Sequence, residues 1–283
     1  MGHKFVKSIL AIILVSAFLS ACEKVDFRGM FLSYESVNSR FEQSMEWNST
    51  HPYKELVVPS DEYTIFTMSD SHVGGTQNLE TFFESAISAS AIAAVMTGDI
   101  TTGKADDYEV FEQQLPDPGT IALFPLVGNH DLYFNGWEQF YSRFGSSTYK
   151  FTVRTPGAKD LFICLDSGSG TLGTRQLDWL KSMLKNERPS YRNCIIFTHN
   201  NLFRFRRTAS TNPLVEELYV LMELFIKHNV DMVITGHDHK KDSEIFGNTT
   251  HIILDALKDG YSDAGYMKIN IAYGNIEYLF INL

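Results

Sequence analysis

The sequence predicts an α/β fold: a mixed sheet with an antiparallel edge, or two packed sheets, with helices on the faces. Three observations lead there. From Tyr63 onward short β-rich runs alternate with helical patterns, as in largely parallel strands joined by helical crossovers. The C-terminal part reads instead as consecutive antiparallel strands. Five of the apolar runs also end in small clusters of Asp, Asn and His. The 283 residues allow one large domain or two small ones, and 44% hydrophobic content is that of a globular chain. No internal repeat or low-complexity segment is visible. The net charge of -10 argues against a nucleic-acid polymer as partner.

The chain divides into residues 1–21, 22–60 and 61–283. Lys4 and Lys7 precede an almost wholly apolar run, Ile9 to Leu19. That run is short of the roughly 20 residues a membrane span needs and fits a secretory signal. It closes on Leu19-Ser20-Ala21-Cys22, which resembles the lipobox of bacterial lipoproteins. The resemblance implies cleavage before Cys22 and lipidation of its thiol; an uncleaved anchor is the alternative. Either way the body is expected outside the cytoplasm, membrane-anchored, periplasmic or surface-facing. Removing two lysines with the signal leaves 22 basic against 34 acidic residues, or -12.

In residues 22–60, Met30, Tyr34, Val37, Phe41 and Met45 recur at helical spacing and predict one amphipathic helix. Such a helix packs on the main domain or offers a docking face. Further helices are predicted over Leu79–Ala91, Gln176–Lys185 and Pro213–Lys227. The tail predicts strands at His251–Leu254, Met267–Ile271 and Ile276–Ile281, with Gly274-Asn275 turning between the last two. Cys164 and Cys194 sit in the apolar runs Leu161–Leu165 and Cys194–Phe197. They read as buried thiols, with one bridge open if those strands are neighbours.

The chemistry lies at the run ends. Tyr63–Met68 leads to Ser69-Asp70-Ser71-His72, and Ala93–Thr97 to Gly98-Asp99. Ile121–Val127 leads to Gly128-Asn129-His130-Asp131, and Cys194–Phe197 to Thr198-His199-Asn200. Asp231–Thr235 leads to Gly236-His237-Asp238-His239. In open α/β sheets ligands bind beyond the carboxyl ends of the strands, so these ends are expected on one rim. Gly98, Gly128 and Gly236 let the backbone turn sharply there. One Asp-x-His is weak evidence; five such clusters in sequence are not explained by turns alone.

Taken in order, D-x-H, G-D, G-N-H-[DE], H and G-H-x-H resemble the motifs of the calcineurin-like metallophosphoesterase superfamily, from about Tyr63 to Leu283. Leu165-Asp166-Ser167 and Gln176-Leu177-Asp178-Trp179-Leu180 also resemble a recurring stretch of that family. The resemblance implies a sandwich of two mixed sheets flanked by helices. It implies that Asp70, His72 and His239 hold one metal ion, that Asn129, His199 and His237 hold a second, and that Asp99 bridges them. It also implies that His130 stands beside the phosphate, oriented by Asp131.

Physical chemistry suits these roles. Two cations roughly 3.5–4 Å apart clamp both ends of an in-line displacement at phosphorus and acidify a bound water to hydroxide near neutral pH. A shared carboxylate offsets their repulsion, while Asn129 adds no charge. An imidazole at His130 stabilises developing charge or protonates the leaving oxygen. Carboxylate, amide and imidazole ligands without thiolate suit Mn, Fe, Zn or Co. Thr102 stands where the purple acid phosphatase branch carries a Tyr, which argues against an iron–tyrosinate site. The family's frequent Pro two residues after the fourth-motif His is Asn201 here, so that loop is expected to differ.

Arg204, Arg206 and Arg207, interleaved with Phe203 and Phe205, form either a substrate-reaching loop or a solvated one. His51, His228 and His251 lie outside the motifs. The function predicted is a metal-dependent phosphomonoesterase or phosphodiesterase acting on a phosphate ester. The alternative is a non-catalytic metal-binding interaction lipoprotein on the same fold.

Overall fold

The computed structural model describes residues 34–117, 119–203 and 214–283. Cys22 with its signal, Met30 and the three loop arginines lie outside them. Four layers are stacked as helices, sheet, sheet, helices. One sheet has five strands in the order β12-β11-β2-β3-β4. These are β2 (Glu62–Met68), β3 (Ala93–Met96), β4 (Ala122–Pro125), β11 (Gly265–Ala272) and β12 (Asn275–Asn282). The other has seven in the order β1-β5-β6-β7-β8-β10-β9. They are β1 (Glu55–Val57), β5 (Tyr149–Arg154), β6 (Lys159–Cys164), β7 (Cys194–Phe197), β8 (Met232–Thr235), β9 (Asp242–Phe246) and β10 (Thr249–Ile253).

β2, β3 and β4 run parallel, as do β6, β7, β8 and β10. The hairpin β11–β12 adds antiparallel to β2, as the tail pattern predicts. Both sheets are therefore mixed, and they pack face to face. β3, β7 and β8 are buried at every position, which is why they read as continuous apolar runs rather than alternating ones. Phe124 of β4 stacks on Phe151 of β5 at 3.7 Å, and Phe151 on Phe162 of β6 at 4.6 Å. This aromatic column crosses from one sheet to the other.

Helices α2 (Gln77–Ser88), α3 (Ala105–Gln113) and α4 (Gly136–Phe144) cover the five-stranded sheet. α2 buries Leu79, Phe82, Phe83 and Ala86, one face at 3.6-residue spacing, with Phe82 at 6.3 Å from Phe66. α5 (Gly173–Asn186) and α6 (Val215–Lys227) cover the seven-stranded sheet. No helix among the described residues is long and apolar enough to cross a membrane.

Two expectations need correction. The N-terminal helix α1 spans Val37–Thr50, not the whole stripe from Met30. Ser36 ends it, its side chain accepting from Ser39 N at 3.2 Å, and Tyr34 is left 72% exposed outside. The face it buries is Val37, Arg40, Phe41 and Ser44, two of them polar. The cysteines cannot bridge, although β6 and β7 are neighbours. Leu161 pairs with Cys194 and Cys164 with Phe197, a three-residue offset, and both thiols are free and buried. Burial pushes the Cys194 thiol up to about 12, so it is chemically quiet.

Candidate metal centre

Five strand ends supply the cluster residues, but from two sheets. β2, β3 and β4 deliver Asp70, His72, Asp99 and Asn129; β7 and β8 deliver His199, His237 and His239. Parallel pairing continues past the strands and fixes the turns. Asp70 N donates to Gly98 O at 3.0 Å, and His72 N to Asp99 O at 2.9 Å. On the other sheet Gly236 N donates to His199 O at 3.0 Å. The two halves are joined where His237 N donates to Asp70 Oδ2 at 2.8 Å.

Two sets of groups converge there: Asp70, His72, Asp99 and His239, and Asp99, His199 and His237. In each set the candidate ligand atoms all lie within 4.8 Å of one another, and Asp99 belongs to both. His239 Nε2 is 3.0 Å from Asp70 Oδ1 and 3.2 Å from His72 Nε2. His199 Nε2 is 3.3 Å from Asp99 Oδ2 and 3.2 Å from His237 Nδ1. Asn129 joins the second set, its Oδ1 3.3 Å from His199 Nε2. The sequence therefore named seven residues that the fold brings together.

The donor chemistry fits a cation. His199 Nδ1 lies 2.9 Å from the Thr97 carbonyl, which accepts only, so that nitrogen carries the proton. In a neutral ring Nε2 is then a bare lone pair, facing the lone pairs of Asp99 Oδ2 and Asn129 Oδ1. A metal ion would reconcile these acceptors pointing at one another, as would an added proton or the hydrogen of His237 Nδ1. The titration shifts carry the same message. Burial would lower His199, but Asp99 outweighs it and raises the imidazole to about 9. Burial would raise Asp99 and Asp70, yet the surrounding imidazoles hold both below the usual carboxylate range. A metal ion would replace those protons.

Several supporting groups lie outside the five ligand-bearing clusters. Tyr261 OH is 3.3 Å from His239 Nδ1, so it can orient that ring from a loop far along the chain. Tyr133 OH accepts from Asn129 Nδ2 at 3.4 Å, which turns the amide oxygen toward His199. Ser167 Oγ accepts from His199 N at 3.1 Å and Asn200 N at 2.9 Å. It holds the turn in which Asn201 stands for the family's usual Pro.

Backbone conformation is the least expected feature. Asp70, His72, Asp99, His237 and His239 all have positive φ, between 41° and 69°. Such residues cost on the order of 1–3 kcal/mol each and persist where the surroundings over-determine them. Each buried Phe or Ile contributes about 1.5–3 kcal/mol, so the core beneath can hold this strain. The glycines have different reasons. Gly98 has φ of 94°, as a sharp turn requires. Gly128 and Gly236 are there for space: a Cβ would stand 2.2 Å from Asp99 Oδ1 and 1.7 Å from Ser69 Oγ.

His130 lies beside this cluster, its ring 4.6 Å from that of His72 and 4.7 Å from Tyr133. Burial pushes its imidazole down to about 4. Asp131 does not orient it, contrary to expectation. The Asp131 carboxylate accepts from Gly128 N at 2.8 Å, Ile100 N at 3.2 Å, and Thr101 N and Oγ1 at 2.8 and 2.9 Å. It is a buried brace between the turns after β3 and β4. Burial, then the nearby Asp99 charge, raises its carboxyl to about 7 against the pull of those bonds.

Residues 63–241 match the sequence model of the calcineurin-like phosphoesterases. No curated protein matches the sequence. Among solved structures, the fold resembles the anchor in the inner membrane complex of Plasmodium, at 14% identity and a TM-score of 0.62, over 78% of this chain and 84% of that one. It resembles a dimetal phosphatase of Danio rerio at 15% identity and 0.61, over 78% and 98%. A putative 5'-nucleotidase of Staphylococcus aureus follows at 14% identity and 0.54, over 78% and 54%. These likenesses show the fold.

Proposed function

The chain belongs to the calcineurin-like phosphoesterase family, and from that premise we propose that it hydrolyses phosphate esters with a two-metal centre. One observation carries this reading: two ligand sets, from two sheets, meeting on the single carboxylate of Asp99. Asp70, His72 and His239 would hold one ion, and Asn129, His199 and His237 the other, with Asp99 shared. Bound there, two cations supply Lewis acidity toward the phosphoryl oxygens and lower the pKa of a water. Mn, Fe, Zn or Co suits the thiolate-free donor set.

The protein's own groups do the rest. Asp99 Oδ1 accepts from His130 N at 2.7 Å, so the bridging carboxylate also fixes the backbone that carries His130. The His130 imidazole can then hydrogen-bond a phosphoryl oxygen or hand a proton to the leaving oxygen. Its pKa is low in the free protein; the negative charge of a bound phosphate acts in the opposite direction.

An aryl phosphate assay tests this reading. We expect hydrolysis after loading with Mn(II), its loss on chelation, and its return on metal addition. Two ions bound per chain with no hydrolysis of monoesters or diesters would favour the non-catalytic reading.

We further propose that the protein is a membrane-anchored lipoprotein outside the cytoplasm, on the strength of Leu19-Ser20-Ala21-Cys22 after an apolar run. Cys22→Ser is expected to release the protein from membranes or leave the precursor uncut. A Cys22→Ser chain that matures and fractionates with membranes as the parent does would end this proposal.

A further inference from the structure

Every candidate ligand lies within residues 63–241, but one buried charge that braces them comes from outside that stretch. Arg40, in α1, is 1% exposed. Its Nε donates to Asp166 Oδ2 at 2.7 Å and its Nη2 to Asp166 Oδ1 at 3.0 Å, a two-pronged pair across 126 residues of sequence. Nη2 also reaches Ser169 Oγ at 3.0 Å, and Nη1 donates to Glu35 O at 2.8 Å. Asp166 is equally buried, and its Oδ1 accepts from Gly168 N at 3.1 Å.

The loop so gripped lies against two site turns. Ser167, the next residue, accepts from the backbone of His199 and Asn200 and from Thr198 Oγ1 at 2.7 Å. Gly168 packs on the turn that carries Asn129: a Cβ on it would stand 2.8 Å from the Gly128 carbonyl oxygen. Asn129 and His199 belong to the same half of the centre. Among the described hydrogen bonds, none joins this loop to the turns of Asp70, His72 or His239.

We propose that Arg40 is a positioning residue for the Asn129–His199–His237 half of the metal centre, acting through Asp166, Ser167 and Gly168. The helix before the family's domain is thereby part of the site's apparatus. A guanidinium suits this because it is always charged and its planar fork fixes a carboxylate in both distance and angle. Groups that orient ligands from behind typically change metal affinity by about 10–100-fold. The effect is selective because only one half of the centre rests on this loop.

This inference rests on the two-metal reading, and one experiment separates the two. The full-length protein is stripped by chelation and titrated with Co(II), following visible absorption and calorimetric binding. The parent is expected to bind two ions. Arg40→Met is expected to weaken one binding step about 10- to 100-fold and change its absorption band, leaving the other step within about twofold. Arg40→Lys should recover part of the loss. Phe41→Ala is the control: it removes a neighbouring helix contact with Trp179, at 6.3 Å, and should lower Tm without altering either step. Should Arg40→Met fail to fold, Arg40→Met with Asp166→Asn removes both buried charges and carries the same expectation. Two unchanged steps in the Arg40 variants, or both weakened equally, would overturn the proposal and leave the metal centre standing. A parent that binds no Co(II) would overturn both.

Discussion

Asp99→Asn is expected to lower phosphate-ester hydrolysis by several orders of magnitude and to weaken both metal sites together. Asp99 is the one residue in both ligand sets, and its Oδ2 lies 3.3 Å from His199 and 3.7 Å from His72. Asn keeps the shape but removes the charge that offsets repulsion between two cations. One of its two terminal atoms becomes a donor, while His130 N still needs an acceptor on the Oδ1 side. The substitution is also a clean one. Asp99 has φ of 50°, and Asn tolerates that left-handed region better than most residues. The change therefore adds no backbone strain, although it removes the carboxylate that faces the buried His199 imidazole, and metal content should fall in a chain that still folds. Elemental analysis beside the activity assay checks this; near-normal occupancy with full turnover would refute the bridging role.

His130→Ala is expected to reduce turnover roughly 10²- to 10⁴-fold, the usual range for acid–base groups, with metal content near that of the parent. His130 adjoins His72 but belongs to neither ligand set, so its contribution should arise in the transition state. Leaving-group dependence decides which contribution it makes. A proton donor matters most for poor leaving groups such as alkyl phosphates, and little for nitrophenyl esters. An equal loss for both would assign His130 to charge stabilisation. Asp131 does not fix the tautomer of this ring, which makes the comparison necessary. An emptied metal site in His130→Ala would mean that the ligand set is wrong.

The strand-end clusters were legible because each is a local pattern: an apolar run followed by a polar turn. The seven candidate ligands could be named without knowing which sheet each strand joins, since β3 and β7 look alike in one dimension. What escaped was chemistry carried by backbone groups. Asp131 follows His130 directly and invites pairing with it, yet its partners are amides at Ile100, Thr101 and Gly128. The start of α1 was misplaced because periodicity counts apolar residues, whereas the face it buries includes Arg40 and Ser44. The strain was equally hidden. Five ligand-bearing residues have positive φ, and nothing in the spelling of Asp70 or His72 announces it. Tyr261 acts through a single hydrogen bond from a loop without a motif, and Ser167 through three, from a stretch whose resemblance assigns it no role.

His72 and His239 meet across 167 residues of chain, and so do the Asp70 carboxylate and His237. Closing so long a loop is entropically unfavourable until the intervening strands have docked. A chain emerging N-terminus first offers Asp70, His72, Asp99 and Asn129 long before their partners on β7 and β8 exist. No N-terminal fragment that stops short of His237 holds a complete ligand set, so neither half of the centre can assemble until most of the chain has been made. Were the chain exported unfolded, as the lipoprotein proposal implies, its ion would be the one available where those strands close. For a polypeptide carried unfolded across a membrane, metal choice passes from the place of synthesis to the destination.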